Sequence, residues 1–419
     1  MISNQSESLG ESLESSSLIP SASKAVVDYG LTHQNPDGNR YLPGQINMPA
    51  ITPLDIPLDG QSQWVVGLGI SPGNSLWLVS LQNGALQTFL VEGRNVLLLD
   101  TLPQSSEAGT PPVLGTWDGQ IALLNELAEG SSAFTHPIKI ADNTLVSIAA
   151  NGDLLINDED GQLRLEVNAL HDGRILSNGE SELLLLTDPS SDYDHGIVGD
   201  ALEARGVSIV TISEEPKAKQ ILSLPAQTVI EGISAIWADL DGDGLREIII
   251  TQSNAQDGAQ IAVYNNDGQW LAASDPIGLA YRWRHQMAVA PFGPNGEMEL
   301  ASVFTPHIGG IVEFMQLDGE KLDVVARLAG YTSHVIGSRN LDMALAADVD
   351  ADGQIELLLP NQNLSTLAAI QRTSNGAEVA WELELGDILA SNLASARFED
   401  GTIAIGAGLQ SGLLRLWLP

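Results

Sequence analysis

One pattern constrains this chain more than any other. A short acidic or amide-rich turn closed by glycine, followed at once by a β-rich run, recurs along its 419 residues. Two copies are close to each other: Ala238-Asp-Leu-Asp-Gly-Asp-Gly-Leu-Arg-Glu-Ile248 and Ala347-Asp-Val-Asp-Ala-Asp-Gly-Gln-Ile-Glu-Leu357. Looser copies lie at Pro72-Gly73, Asp118-Gly119, Asn178-Gly179, Asn295-Gly296 and Asp400-Gly401. Anchored on glycines 73, 119, 179, 244, 296, 353 and 401, the units are spaced 46 to 65 residues apart. A repeat of this kind decides architecture before any single residue does, because each unit must bury its apolar faces against its neighbours.

A second turn follows within the units, at Glu92-Gly93, Asp160-Gly161, Glu215-Pro216, Asp267-Gly268, Asp318-Gly319 and Asn375-Gly376. Asp-Gly and Asn-Gly between apolar runs are hairpin signals, since both central residues tolerate positive φ. Each unit reads as strand a, turn, strand b, loop, strand c, turn, strand d. The sequence therefore predicts an all-β chain, a seven-bladed β-propeller of four-stranded antiparallel blades. Adding Asn151-Gly152 as an eighth anchor leaves neighbouring units of 33 and 27 residues, too short for four strands of ordinary length. The last unit stops at Pro419 before a fourth strand, so a strand from within 24–58 is expected to complete it. Residues 1–23, rich in Ser and Glu, read as a disordered tail. Residues 24–419 read as a single propeller domain, with 24–62 as lead-in and ring-closing strand.

Composition narrows the functions. Asp and Glu number 54 against 18 Lys and Arg, a formal charge of −36, which opposes nucleic acid and anionic lipid because both need a basic surface. With 43% hydrophobic and only 17% charged residues, the chain is globular rather than an acidic disordered polymer. It has no cysteine, which removes disulfides, thiolate nucleophiles and Cys-ligated metals. No apolar run reaches the ~18–20 residues of a membrane span, and no signal peptide is visible. A monomer is expected.

The two close copies resemble the FG-GAP/VCBS-type repeats of integrin α-subunit-like propellers, with the pattern Asp-x-Asp-Gly-Asp-Gly-x-x-Asp/Glu. The matching residues are Asp239, Asp241, Asp243, Gly244 and Glu247, then Asp348, Asp350, Asp352, Gly353 and Glu356. The resemblance covers two blades well and the others only at their turns. It implies calcium in the turn between strands a and b. The chemistry of the residues agrees: carboxylates at positions 1, 3, 5 and 9, with a carbonyl at 7 (Leu245 and Gln354), can wrap one hard cation in oxygen. Two Ca2+ sites are expected. Ala351 replaces Gly242 in the second loop, which predicts weaker binding there. Calcium loops favour an extracytoplasmic setting.

Loop length points to a ligand face. From anchor to second turn most units take 20 to 24 residues, but the second takes 42 and the third 37. The excess falls in b–c loops near 125–148 and 188–206, on the face opposite the acidic turns. His136, His195 and His307 map to b–c segments and His171, His285 and His334 to d–a segments, all on that face; His33 is in the lead-in. Tyr281-Arg282-Trp283-Arg284-His285 and Tyr331-Thr-Ser-His334-Val-Ile-Gly-Ser-Arg339 concentrate Arg and aromatic residues in a chain poor in both. Tyr281, Arg282, Trp283, Arg284, His285, His195, His307, His334 and Arg339 are thus candidate ligand residues, suited to an anionic or sugar-like ligand. No nucleophile elbow, phosphate loop or zinc-protease helix is present. The reading is a calcium-stabilised binding module for an unknown carbohydrate or protein ligand. The alternative is a carbohydrate-active enzyme resembling polysaccharide lyases.

Overall fold

Burial grades outward along each unit and explains why the apolar runs look as they do. Inner strands such as Leu345–Asp348 and Ile403–Leu409 are buried on both faces, so their sequences are almost wholly apolar, while Arg284–Ala290 is equally buried but opens on Arg284, His285 and Gln286. Outer strands such as Asn95–Leu98 and Gly161–Leu165 are largely exposed, and Lys321–Ala329 alternates as a half-covered strand must. A computed structural model of the chain describes residues 29–30, 35–99, 111–112, 114–117, 120–123, 129–141, 144–158, 161–193 and 195–419. The expected tail at 1–23, His33 and Asp118-Gly119 lie outside the described residues. The architecture is all-β, with one short 3-10 turn at Met48–Ala50 among the described residues.

Eight sheet units follow one another among the described residues. Sheet I comprises Ser62–Ser71, Asn74–Leu81, Leu86–Glu92 and Asn95–Leu98. Sheet II holds Leu114–Trp117 and Gln120–Leu123, with Tyr29–Gly30 beside the first. Sheet III runs Ile138–Ala141, Thr144–Ile148, Leu154–Asp158 and Gly161–Leu165. Sheet IV runs Leu176–Ser177, Glu182–Ser190, Glu203–Thr211 and Lys217–Ser223. Sheet V runs Ile236–Ala238, Glu247–Asn254, Gly258–Tyr264 and Trp270–Ala273. Sheet VI runs Arg284–Ala290, Glu299–Phe304, Ile311–Asp318 and Lys321–Ala329. Sheet VII runs Leu345–Asp348, Glu356–Pro360, Thr366–Thr373 and Gly376–Glu384. Sheet VIII has Leu389–Arg397, Ile403–Leu409 and Leu413–Trp417 from the C-terminus, and its fourth strand is Leu54–Pro57. The short strand Thr228–Ile230 ties sheet IV to sheet V, and a single pair, Ala273 with Lys321, ties V to VI.

Sheet III is a separate four-stranded sheet that the spacing of the glycine anchors does not set apart. Its four strands are only four or five residues each, and tight turns let them fit between residues 138 and 165. Asn151-Gly152 joins strands b and c of this sheet, and Gly161 opens strand d opposite Asp158. The seven-unit reading merged sheets II and III, which made residues 138–148 look like part of a long b–c loop. His136 accordingly precedes the first strand of sheet III rather than following strand b of sheet II. The long connection in sheet IV is genuine and spans residues 191–202.

Apolar layers fill the spaces between successive sheets. One joins III to IV (Val146, Ile156, Leu185), the next IV to V (Leu186, Val207, Trp237, Ile250), and others V to VI, VI to VII and VII to VIII. The last layer joins VIII back to I through Trp77, Phe89, Ala394 and Leu414. At that seam the inner strands nearly touch. A Cβ on Gly69 would stand 1.8 Å from the Arg397 carbonyl oxygen and one on Gly67 2.4 Å from that of Ser395, so only glycine fits.

The lead-in is bound to one unit after another. Main-chain bonds connect Pro36 to Ser177 and Asp37 to Trp237, and Asn39 exchanges two bonds with Val289. Arg40 then bonds Ala346, Tyr41–Gln45 runs parallel to Leu345–Asp348, and Gln45 reaches Gly401. This segment crosses the inner strands on the side of the a–b turns. Its Arg40 side chain reaches inward to Asp342 and to the carbonyls of Gln286, Met287 and Leu341.

Candidate metal turns and ligand cleft

The two acidic turns connect strands a and b of sheets V and VII. In the first, Asp239, Asp241 and Glu247 bring carboxylate oxygens within 4.8 Å of one another; Asp348, Asp350 and Glu356 do the same in the second. The geometry is set by main-chain donors. Asp239 accepts from Gly242 and Gly244, Asp241 from Asp243, Asp243 from Leu245, and Glu247 from Leu240. The second turn repeats this with Asp348 accepting from Asp352 and Gly353, Asp350 from Asp352, Asp352 from Gln354, and Glu356 from Val349. Asp243, Asp352, Leu245 and Gln354 are in the same turns but not in the tight three-residue groups.

Both glutamates are electrostatically frustrated. Burial, reinforced by the neighbouring aspartates, pushes Glu247 up to about 7 and Glu356 up to about 8. Glu356 Oε1 is buried with no hydrogen-bond partner. A cation among the carboxylates would relieve both the repulsion and the orphaned oxygen, so the residues fit a hard metal ion. Gly242 and Gly244 take φ of 80° and 87°, while Ala351 is held at 61° in the position equivalent to Gly242, a strained conformation for a residue with Cβ.

On the opposite side a cleft of about 380 Å3 is lined by His195, Tyr281, Arg282, Trp283, Thr305, His307 and Ile336, among others. Five of the nine residues singled out from sequence line it. His285 and His334 lie directly behind: Trp283 stacks on His285 at 4.3 Å, and His334 meets His307 Nε2 to Nε2 at 2.9 Å. Ser333 Oγ links the Nδ1 atoms of His285 and His334, at 2.9 and 3.1 Å. Burial first, with nearby Arg40 and the other histidines, drives His334 down to about 3 and His285 well below its ordinary value, so this chain of imidazoles is neutral at physiological pH. Tyr281 and Thr305 have positive φ of 55° and 46°, and Thr305 N–H bonds the Trp283 carbonyl.

Two of the nine sit elsewhere. Arg284 turns to the other side of its strand, where it is buried against Glu313 at 2.9 Å and over the Phe304 ring. Arg339 pairs with Asp172 and Asp200 at 2.8 and 2.5 Å and lies 4.0 Å from the Phe134 ring. It lines a second, larger cleft of about 660 Å3 together with Trp64, Phe134, Asn340 and several glutamines. The reason is strand alternation: consecutive residues 284 and 285 face opposite sides. Arg282 is half-buried, has no ion-pair partner among the described residues, and donates to its neighbour Tyr281's carbonyl.

Sequence reasoning missed Glu231, which is fully buried under His195. One of its oxygens meets His195 Nδ1 and the other accepts from Ser253 Oγ. Nothing local marks it, because Glu231, His195 and Ser253 come from three different segments. The two clefts are separated where the long connection of sheet IV meets the segment before sheet VII: Gly337 N–H bonds the Ile197 carbonyl, and Arg339 clamps Asp200. Beneath this contact, buried Asp342 pairs with both Arg40 and Arg174.

Comparison by sequence matches no protein-family model and no curated protein. Among solved structures the chain is similar to a europium-containing methanol dehydrogenase, with a TM-score of 0.55 at 10% identity over 91% of this chain and 90% of that one. It is also similar to the computationally designed Ika8 protein (TM-score 0.48, 14% identity, 87% and 98% covered) and to a chain of a mitotic checkpoint complex (0.43, 13%, 88% and 95%). At such identity the first likeness speaks for the fold alone, which is β-propeller-like. The other two carry no argument.

Proposed function

We propose that this chain is a calcium-stabilised β-propeller binding module of the FG-GAP/VCBS kind, with eight blades and its ligand in the His195–Trp283–His307 cleft. Leu54–Pro57 closes the ring. Calcium occupies the turns at Asp239–Glu247 and Asp348–Glu356, where millimolar extracytoplasmic calcium would keep both loaded. The observation that carries the ligand reading is the cleft's composition. Tyr281, Ile308 and Ile336 are exposed on it, and Arg282 offers a guanidinium no carboxylate holds among the described residues. Aromatic and aliphatic surface beside one cation suits a sugar that bears a carboxylate, stacked on Tyr281 and paired with Arg282. Positive φ at Tyr281 and Thr305 supports a shaped site, since such strain collects where function needs it.

A panel of neutral and uronate-containing oligosaccharides on an array tests this. Retention of uronate ligands by the intact chain, lost in Arg282→Ala and kept in Arg327→Ala, is the expected result. Binding restricted to peptides would shift the ligand to protein; unaltered retention by Arg282→Ala would sink the cleft assignment.

The buried Glu231 behind His195 favours an enzymatic second reading. A carboxylate on Nδ1 fixes the tautomer and leaves Nε2 able to accept a proton. In an elimination, His195 Nε2 would take the proton α to the uronate carboxylate, the β carbon–oxygen bond would break as the carbon–carbon double bond forms, and the departing oxygen would take a proton from the His195 imidazolium or from solvent. Ultraviolet absorbance from an unsaturated product, abolished by His195→Ala, separates catalysis from binding.

A further inference from the structure

Away from both acidic turns, three side chains with mixed donors converge on the cleft side. His171 and Asp172 lie on the connection between sheets III and IV, and Asp200 on the long connection within sheet IV. One ligand atom from each lies within 4.8 Å of the others. Arg339 reaches across from the segment before sheet VII, its Nε 2.8 Å from Asp172 Oδ2 and its Nη2 2.5 Å from Asp200 Oδ2. One guanidinium does not neutralise two carboxylates. It also leaves Asp172 Oδ1 buried without a hydrogen-bond partner, on a residue with no exposed surface. A buried carboxylate oxygen left without a partner is costly, and more so when the group is charged.

We propose that His171, Asp172 and Asp200 form a third metal site, chemically distinct from the two turns and taking a divalent transition ion such as zinc or cobalt. One imidazole nitrogen with two carboxylates suits borderline ions, whereas calcium and magnesium prefer oxygen alone. Tetrahedral ligands about 2.0–2.2 Å from zinc stand roughly 3.3–3.6 Å apart, and one ligand atom from each of the three residues already lies within 4.8 Å of the others. Arg339 would remain as the outer partner of the ligating carboxylates, the arrangement that orients metal ligands elsewhere. Phe134 holds the assembly in place: its ring lies 6.1 Å from His171, edge-on, and 4.0 Å from Arg339. Phe134 and Arg339 also line the larger cleft of about 660 Å3, so the metal would stand at its wall. With three protein ligands, the ion would keep positions open for water or a ligand from that cleft.

The site is independent of what binds in the smaller cleft, and its test uses metal alone. The intact chain, saturated with calcium to fill the acidic turns, is titrated with Co2+ by calorimetry and visible absorption. One equivalent of Co2+ with ligand-field bands is expected. In His171→Ala and in Asp200→Asn its dissociation constant should rise by more than about 100-fold, beyond the range seen for losing an outer-shell partner. Asp239→Asn should retain it. A cooperative thermal melt followed by far-ultraviolet circular dichroism, measured on every variant with and without calcium, shows that each is folded. The proposal is overturned if no Co2+ equivalent appears in folded, calcium-loaded protein. It is equally overturned if the equivalent survives His171→Ala or disappears in Asp239→Asn.

Discussion

The two faces of the molecule are built by opposite means. On the side of the acidic turns, each site is a run of nine residues whose main chain and carboxylates bond one another, so Asp239–Glu247 and Asp348–Glu356 repeat almost atom for atom. On the cleft side, His195, Trp283, Glu231, Ser333 and His307 come from connections of four sheets and meet only once the ring is assembled. Local sites are robust and recognisable; assembled sites depend on whatever holds the sheets in register. Between the faces, the Arg40–Asp342–Arg174 trio ties the lead-in to the cleft-side connections.

That trio offers the largest test of the contrast. Asp342→Ala leaves two buried guanidiniums without their carboxylate, and the loss of one partner from a buried pair costs about 3–5 kcal/mol. Chemical denaturation should show that loss, and the cleft should be disrupted while isolated turn geometry is kept. An unfolding midpoint equal to wild type would refute the role of the trio. Next in size is calcium. If each turn binds it, stability should rise by about 2.7 kcal/mol per site at a hundredfold excess over Kd, and chelation should reverse this; a melting curve indifferent to calcium and chelator would count heavily against both turns.

Acid should act on the assembled face. His334 is pushed down to about 3 in the folded chain, below the ~6.5 of an unfolded histidine. The stability it contributes is present above pH ~6.5 and is lost as pH falls toward about 3, with a slope of up to ~1.4 kcal/mol per pH unit. His334→Asn should flatten that slope in denaturation series between these limits; an unchanged slope would place the sensitivity elsewhere. Arg282→Ala, in the cleft, should weaken an acidic ligand by about 1–3 kcal/mol without shifting the melting temperature, as expected for a charge-assisted hydrogen bond at a binding surface. The smallest effect distinguishes the two turns from each other. Ala351→Gly should stabilise the second turn by about 1 kcal/mol or less, because the αL conformation strains alanine but not glycine. Matched calcium titrations of the parent and this variant would show it, and the same affinity in both would mean that the strain is relieved by other means.

How much was legible follows the same division. The glycine anchors all fall in turns between strands a and b where those turns are described: Gly73, Gly179, Gly244, Gly296, Gly353 and Gly401. These are local conformational demands, and a sequence displays them openly. Sheet III was hidden because its strands are short and its turns resemble those of its neighbours, so spacing alone merged it with sheet II. The cleft was half legible. Tyr281, Arg282, Trp283, His195 and His307 do share it, but Arg284 turns away by strand alternation and Arg339 is held by Asp172 and Asp200.

The sequence by itself determined an all-β repeat, two nine-residue acidic turns and a C-terminal unit short of one strand. Each of those rests on interactions between residues close along the chain. Only the tertiary structure decided that Leu54–Pro57 supplies the missing strand, that Glu231 stands behind His195, and that Asp172 and Asp200 share one arginine. Pairings across tens or hundreds of residues leave no local trace, because they are selected by which faces remain to be buried after the sheets have formed.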